Sequence, residues 1–441
     1  MARHNRSGRN GQRAAVTGVT VSGYKSLAVP QGIEIRPLTI LAGANSSGKS
    51  SLMQPLLLLK QTLEASYDPG PLLLNGPNVK FTSVDQLLSR TAKSTPADVF
   101  SIEIEMAGGL RCLLEFKKYP KHGIRLVRQR TVDVEGHEIE LRPEMPPADV
   151  AAALPDSFKS LAQGLPKRYS TWRVSRNRCF LEAEVTTPDS EGVLRFGPPG
   201  GVGHAQPLIM GLIHLPGLRG NPARTYPVTA IGETFPGSFE AYVASILMDW
   251  QRNDKPKLTQ LGHDLETLGL TWKVAVTPID DTQVEMQVGR LPHAIRGGAW
   301  DMVNLADVGF GVSQTLPVLV ALLAAQSGQL VYLEQPEIHL HPRAQSALAE
   351  VIAAAAGRGA RVVVETHSNL LLLGFQTVVR EGRLPTSDIK LHWFKRSQDG
   401  STEITSADLD GEGRFGNWPE DFAEVLLQAE GRYLDAGAPK N

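Results

Sequence analysis

Leu38-Thr-Ile-Leu-Ala-Gly43-Ala-Asn45-Ser46-Ser47-Gly48-Lys49-Ser50-Ser51-Leu-Met-Gln-Pro55-Leu-Leu-Leu-Leu59 decides the fold. An apolar strand, read from Ile33 to Ala42, runs into a glycine loop, and an apolar helix from Ser50 to Leu63 follows. Glycines at 43 and 48 let backbone N–H groups wrap phosphates, Lys49 reaches the terminal phosphates, and the Ser50 hydroxyl ligates Mg²⁺. The anion then lies at a helix N-terminus, where unpaired N–H groups and the helix dipole favour negative charge. Asn45, Ser46, Ser47, Gly48, Lys49, Ser50 and Ser51 are therefore the candidate nucleotide-contacting residues, with ATP and Mg²⁺ as cofactors. Pro55 removes one backbone donor and is expected to kink the helix or mark its start.

A metal beside the phosphates needs an acid, and Leu330-Val-Tyr-Leu-Glu334 supplies one at the end of an apolar strand. Gln335-Pro-Glu337-Ile-His339-Leu-His341-Pro342 follows; His339 and His341 lack further ligands at metal-site spacing and read as structural. A second apolar strand, Arg361-Val-Val-Val-Glu365, ends in Thr366-His367-Ser368, which places His367 at the sheet edge where parallel sheets bind ligands. From Asp301 the chain alternates helix and strand: Ser313–Ala325, Gln329–Leu333, Arg343–Ala356 and Arg361–Glu365. This predicts an α/β fold with a helix-covered parallel sheet.

Two further regions lie between the halves of that frame. Short runs between Val99 and Leu141 predict an antiparallel β subdomain over 101–145. Residues 146–300 read as an inserted mixed, helix-rich lobe, with helices at Asp149–Leu165 and Ser238–Gln251 and a loop at Gly197–Gln206. The head is thus expected in two halves, 14–100 and 301–400, with a basic tail at 1–13 and an extension at 401–441.

The 441 residues suffice for several packed lobes, and 41% hydrophobic with 21% charged residues is an ordinary globular mixture. A net charge of −1 gives no global pull toward polyanions. Cys112 and Cys179 form no metal or redox spacing and fit a reducing cytoplasm, and no run is long and apolar enough for a membrane span.

Four motifs in order carry a resemblance: Gly43–Ser50, Asp307-Val-Gly309-Phe-Gly311-Val-Ser313-Gln314, Glu334–Pro342 and Glu365–Ser368. The chain resembles ABC-type ATPases of the RecF/SMC/OLD group, most closely compact OLD-like ATPases without a Toprim nuclease domain, a subgroup associated with bacterial defence. Gly23-Tyr-Lys-Ser-Leu27 resembles their first strand, and Gly413–Phe422 the tail of one subgroup. The resemblance implies an ABC-type P-loop head in which Gly309, Gly311 and Ser313 cap ATP on a second subunit. It implies a homodimer closed by ATP, with a higher oligomer as the alternative, catalysis through Lys49, Glu334, Gln335, Glu337 and His367, and metal held by Ser50 and Glu334. Gln335 departs from the pattern, since a glutamate usually orients the attacking water there; an amide takes no proton, so turnover is expected to be slow or Glu337 to act as base. Asp408-Leu-Asp410 matches the short acidic pair of the nuclease domain but lacks that fold around it and reads as a polar turn.

Two stretches of the insert are basic and acid-free: Lys117–Arg130 and Lys167–Arg178. Lys117, Lys118, Arg128, Arg168, Arg173, Arg176 and Arg178 are candidate phosphate contacts for DNA, with Tyr169 and Trp172 available to stack on bases. The leading expectation is a DNA-associated ATPase switch acting on a separately encoded effector in anti-phage defence or repair. The alternatives are the ATPase subunit of a transporter and a nearly inactive nucleotide-binding scaffold.

Overall fold

Strands buried on both faces must be apolar along their length, and the chain has three such runs, Leu38–Gly43, Leu330–Glu334 and Arg361–Thr366. In the computed structural model, which describes residues 14–92, 96–121, 123–156, 160, 171–186, 193–196, 202–291, 293 and 300–416, these runs form the centre of one sheet. The basic tail 1–13 lies outside the described residues.

Along the chain β1 (Val16–Ser22), β2 (Gln31–Glu34) and β3 (Leu38–Gly43) precede α1 (Lys49–Glu64). Four antiparallel strands follow: β4 (Val99–Met106), β5 (Arg111–Tyr119), β6 (Gly123–Val132) and β7 (Glu138–Leu141). Next come α2 (Pro147–Ala153), β8 (Thr171–Asn177), β9 (Phe180–Thr186), β10 (Val193–Phe196), α3 (Val202–Met210), β11 (Ile213–Leu215) and β12 (Tyr226–Pro227). Two helices, α4 (Val243–Asn253) and α5 (Lys255–Thr267), lead to β13 (Val274–Pro278), β14 (Gln283–Gly289) and β15 (Met302–Asn304). The last part is α6 (Phe310–Ala324), β16 (Leu330–Glu334), α7 (Pro342–Gly357), β17 (Arg361–Thr366), α8 (Asn369–Arg380), β18 (Ile389–Arg396) and β19 (Thr402–Ala407).

The central sheet runs β11-β16-β17-β3-β18-β19, parallel except for β19. Its side chains alternate between two cores. Ile40, Val331, Leu333, Val362 and Val364 face the core of α4 to α8, whereas Leu41, Leu330, Tyr332, Val363 and Phe394 face the core containing α1 and the antiparallel sheet. That second sheet runs β2-β1-β4-β5-β6-β7. Two smaller sheets, β10-β9-β8 and β12-β14-β13 with β15 on β14, complete the mixed α/β architecture.

Several expected elements differ. The strand read from Ile33 to Ala42 is two strands in different sheets, broken at Arg36-Pro37, where proline has no N–H to donate to a ladder. The α1 helix begins at Lys49 and runs through Pro55, so proline does not mark its start. The expected loop Gly197–Gln206 contains the start of α3. Residues 146–300 also do not stand apart, because β11 pairs with β16 in the central sheet, and β19 from the expected extension pairs with β18. The helix read over Asp149–Leu165 is described as Pro147–Ala153, and 161–170 lie outside the described residues.

Candidate functional site

Parallel sheets gather ligand groups at the carboxyl ends of their strands. Here five strands end on one edge: β3 in the glycine loop, β17 at Glu365-Thr366-His367, β16 at Glu334, β11 before Gly217 and Arg219, and β18 at Arg396. The loop backbone takes positive φ at Gly43, Ser46 and Gly48. A Cβ at Gly48 would lie 2.3 Å from Thr402 Oγ1 and one at Gly43 2.2 Å from the Phe394 carbonyl, so both places require glycine. Lys49 Nζ donates to the Gly43 and Ala44 carbonyls at 3.1 and 2.9 Å, inside the curve of the loop. A cavity of about 450 Å³ opens there, lined by Ser46 to Ser51 with Lys25, Arg90, Glu365 and Arg396.

The acids fall in two ranks. Glu365 belongs to β17, the strand beside β3, and accepts the Ser50 hydroxyl at 3.0 and 2.8 Å on its two oxygens. Tyr332 Oη donates to the same carboxylate at 2.9 Å. Glu334 pairs with Glu365 in register but lies one strand farther from the loop. Its Oε1 is 3.1 Å from His214 Nε2, and its Oε2 accepts the Gly217 N–H at 3.3 Å. Burial pushes the Glu334 carboxyl up, but His214 and the Gly217 N–H outweigh it and hold it below the usual range. Burial raises Glu365, against the Ser50 hydrogen bond.

Glu337 is buried, with Oε1 accepting from Thr366 Oγ1 at 2.7 Å and from the His367 N–H at 3.1 Å. Its Oε2 is buried without a hydrogen-bond partner among the described residues, and burial raises this carboxyl too. His367 is half-buried beside the Gly43 carbonyl and Lys49, and desolvation followed by the lysine charge lowers its pKa. Lys49 itself is lowered by burial, opposed by the charges of Glu365 and Glu337. Lys49, Ser50, Glu337, Glu365 and His367 thus meet at one edge, with Glu334 behind them. Gln335 carries a positive φ of 43°, a strained backbone for a residue with a side chain, and its N–H donates to the Glu365 carbonyl at 2.8 Å.

Gly309, Gly311 and Ser313 stand elsewhere. Gly309 caps α6, where Gly309 and Phe310 are exposed, and none of the three lines the cavity around Lys49. Ser313 borders a separate small cavity with Arg219. Sequence reasoning passed over Arg219, which is buried and ties the two regions together. It donates to the carbonyls of Pro216 (3.1 Å), Gln314 (2.7 Å), Glu334 (3.2 Å) and Gln335 (3.4 Å). His214 and Tyr332 were also passed over; their rings stack at 5.4 Å behind Glu334 and Glu365. The signal for Glu365 was present, an acid closing an apolar strand, but only strand order shows that it neighbours Ser50.

Among the described residues, the candidate cations of the two basic stretches already have partners. Lys117 pairs with Asp98 (3.3 Å), Lys118 with Asp85 (2.6 Å), Arg128 with Glu115 and Glu140, Arg173 with buried Glu184 (2.9 Å), and Arg176 with Asp68 (2.6 Å). Arg178 donates to the Thr62 and Leu63 carbonyls at the end of α1. Arg168 and Tyr169 lie outside the described residues. The stretches lack acids in sequence because their partners stand across the strands, as Arg128 opposite Glu115 and Arg173 opposite Glu184. Asp408-Leu-Asp410 is a turn: Asp408 pairs with Lys390 and Arg36, and Asp410 accepts the Glu412 and Arg414 N–H groups.

A glycine loop between a central parallel strand and a helix, with acids closing the neighbouring strands, defines a mixed α/β P-loop nucleotide-binding fold. The family model described as "AAA domain, putative AbiEii toxin, Type IV TA system" matches residues 38–132 and 296–373, stretches that hold the loop, the α6 segment, Glu334 and His367. This match, over less than half of the chain, supports a P-loop ATPase. No curated protein matches the chain. Among solved structures, it is similar to an SMC head bound to the C-winged helix domain of ScpA, with 12% identity, 90% of this chain and 98% of that chain covered, and a TM-score of 0.46. An SMC head domain from Thermotoga maritima gives 11%, 89%, 98% and 0.39, and an Smc head from Pyrococcus furiosus bound to the C-terminal domain of ScpA gives 10%, 95%, 100% and 0.44. Among the described residues no helix is long and apolar enough to cross a membrane.

Proposed function

We propose that the chain is a slow Mg-ATP-dependent ATPase whose heads close as a homodimer around nucleotide. The observation that carries this reading is the separation of two phosphate-binding elements. Lys49 and Ser50 line one cavity, while the exposed N-terminus of α6 at Gly309 offers backbone N–H groups away from it. An exposed helix N-terminus with glycines at its start suits the γ-phosphate of a second copy's ATP. Lys49 would hold the β- and γ-phosphates, exchanging its loop carbonyls for phosphate oxygens. The oxygen donors Ser50, Glu334 and Glu365 have the chemistry that suits Mg²⁺, which supplies charge neutralisation on the transferring phosphoryl group.

Gln335 can orient water through its amide but cannot accept its proton. Glu337, buried with one free carboxylate oxygen and a raised pKa, is the base this arrangement supports. His367, kept neutral beside Lys49, is placed to contact the γ-phosphate. The family described by the matching model is associated with a type IV toxin–antitoxin system, and we extend the reading to a switch for a separately encoded effector. DNA contact is left out of this reading, because its candidate cations among the described residues already have partners.

Light scattering on the purified chain tests the dimer. ATP with Mg²⁺ is expected to double the mass, ADP to leave it unchanged, and Lys49→Ala or Ser313→Arg to remain monomeric. Bound ATP without any change in mass, or unstimulated turnover of tens per second, contradicts the reading.

A further inference from the structure

We propose that Glu365, rather than Glu334, is the carboxylate that shares the Mg²⁺ of bound ATP with Ser50. The proposal rests on the ATPase reading and deepens it. The first support is topological: β17 lies between β16 and β3, so Glu365 is one strand from the glycine loop and Glu334 two. The second is contact, since both Glu365 oxygens lie within 3.0 Å of Ser50 Oγ, the hydroxyl that this loop presents to a metal. The third is access. Glu365 lines the cavity with Lys49 and Ser50, whereas Glu334 is absent from its lining.

Glu334 has other work. Its two oxygens face His214 Nε2 and the Gly217 N–H, and Tyr332, stacked on His214, turns its hydroxyl to Glu365. This makes Glu334 a positioning residue that fixes the His214–Tyr332 pair behind Glu365. A buried carboxylate without a directly bound cation is costly, and the nearby ammonium of Lys49 is hydrogen-bonded to loop carbonyls rather than to Glu365. A hard divalent cation with oxygen preference, arriving with the triphosphate, satisfies both Glu365 and the Ser50 lone pairs. Glutamine at 365 would still accept the Ser50 hydroxyl but would be a neutral and poor metal ligand.

Mn²⁺, read by electron paramagnetic resonance, serves as the probe on the full chain with ATP bound, and ATP binding in EDTA serves as the metal-free control. Glu365→Gln is expected to weaken Mn²⁺ by about tenfold or more, with ATP affinity in EDTA within about twofold of wild type. Glu334→Gln is expected to lose less, and Glu365→Asp, which keeps the charge, to recover most of the loss. An unchanged Glu365→Gln, an equal or larger loss in Glu334→Gln, or equal losses in the Asp and Gln variants overturns the proposal. A loss in Glu365→Gln that appears in EDTA as well does the same, because it is then not the metal's. Wild-type protein that binds no ATP in either medium overturns the ATPase reading instead, and the proposal falls with it.

Discussion

Arg219→Ala removes a buried guanidinium that joins four main-chain carbonyls from three segments: the end of β11, the first turns of α6 and the end of β16. The contact to Gln314 at 2.7 Å is the strongest by geometry, and that to Gln335 at 3.4 Å is marginal. A hydrogen bond to a charged group contributes about 1.5 to 3 kcal/mol, and a buried acceptor left unpaired costs about 1 to 3 kcal/mol. Burial of the arginine opposes these gains and lowers its own pKa, while Glu240, Glu337 and Glu334 favour its charge. Counting the Gln314 and Glu334 contacts in full, and offsetting them by desolvation, leaves a loss of about 3 kcal/mol for the alanine variant. Urea unfolding checks it: the midpoint should fall at unchanged slope, and Arg219→Lys, which keeps the charge but not the fork, should fall between. The same change removes a cation that lowers Glu337, so that carboxyl should titrate higher still. A stability within about 0.5 kcal/mol of wild type, a shift usual for surface substitutions, would refute the reasoning.

Two further outcomes follow from single side chains. His392 is held neutral, its pKa lowered by burial from 6.5 to about 4, with Nε2 donating to the Glu34 carbonyl and Nδ1 accepting from Ser406. The unfolded chain binds the extra proton first as pH falls, so this group's stabilisation is complete above pH 6.5 and is lost between 6.5 and about 4. The loss is about 3 kcal/mol, and His392→Gln should flatten that part of the stability–pH curve; an unchanged slope would contradict it. Arg178→Ala frees the Thr62 and Leu63 carbonyls at the end of α1 and should cost about 1 to 2 kcal/mol in denaturant melts, without changing the salt dependence of any DNA binding. A lower salt slope at full stability would restore the DNA assignment for this residue.

The glycine loop and the two acid-ended strands were legible because their chemistry demands particular residues at particular spacing, and because strands buried on both faces read as unbroken apolar runs. Pro37 was equally visible as a break, yet the apolar residues on either side invited a single strand. The β11 strand was not legible: Ile213-His-Leu215 is too short to show a period, and its place in the sheet comes from pairing with Val331 to Leu333. The partners of the basic residues were not legible for a related reason. Glu184 neutralises Arg173 across a hairpin, and local charge counts do not see across strands. Glu365 shows the same limit at the site, since its neighbour Ser50 is set by strand order.

Equilibrium binding of a fluorescent ATP analogue with Mg²⁺, to wild type and Lys49→Ala, tests the central claim most directly. The account predicts saturable binding by wild type, displaced by ATP, and a loss of at least about tenfold in the variant, with unfolding midpoints that show both proteins folded. Equal binding by the two, or none by folded wild type, would contradict it.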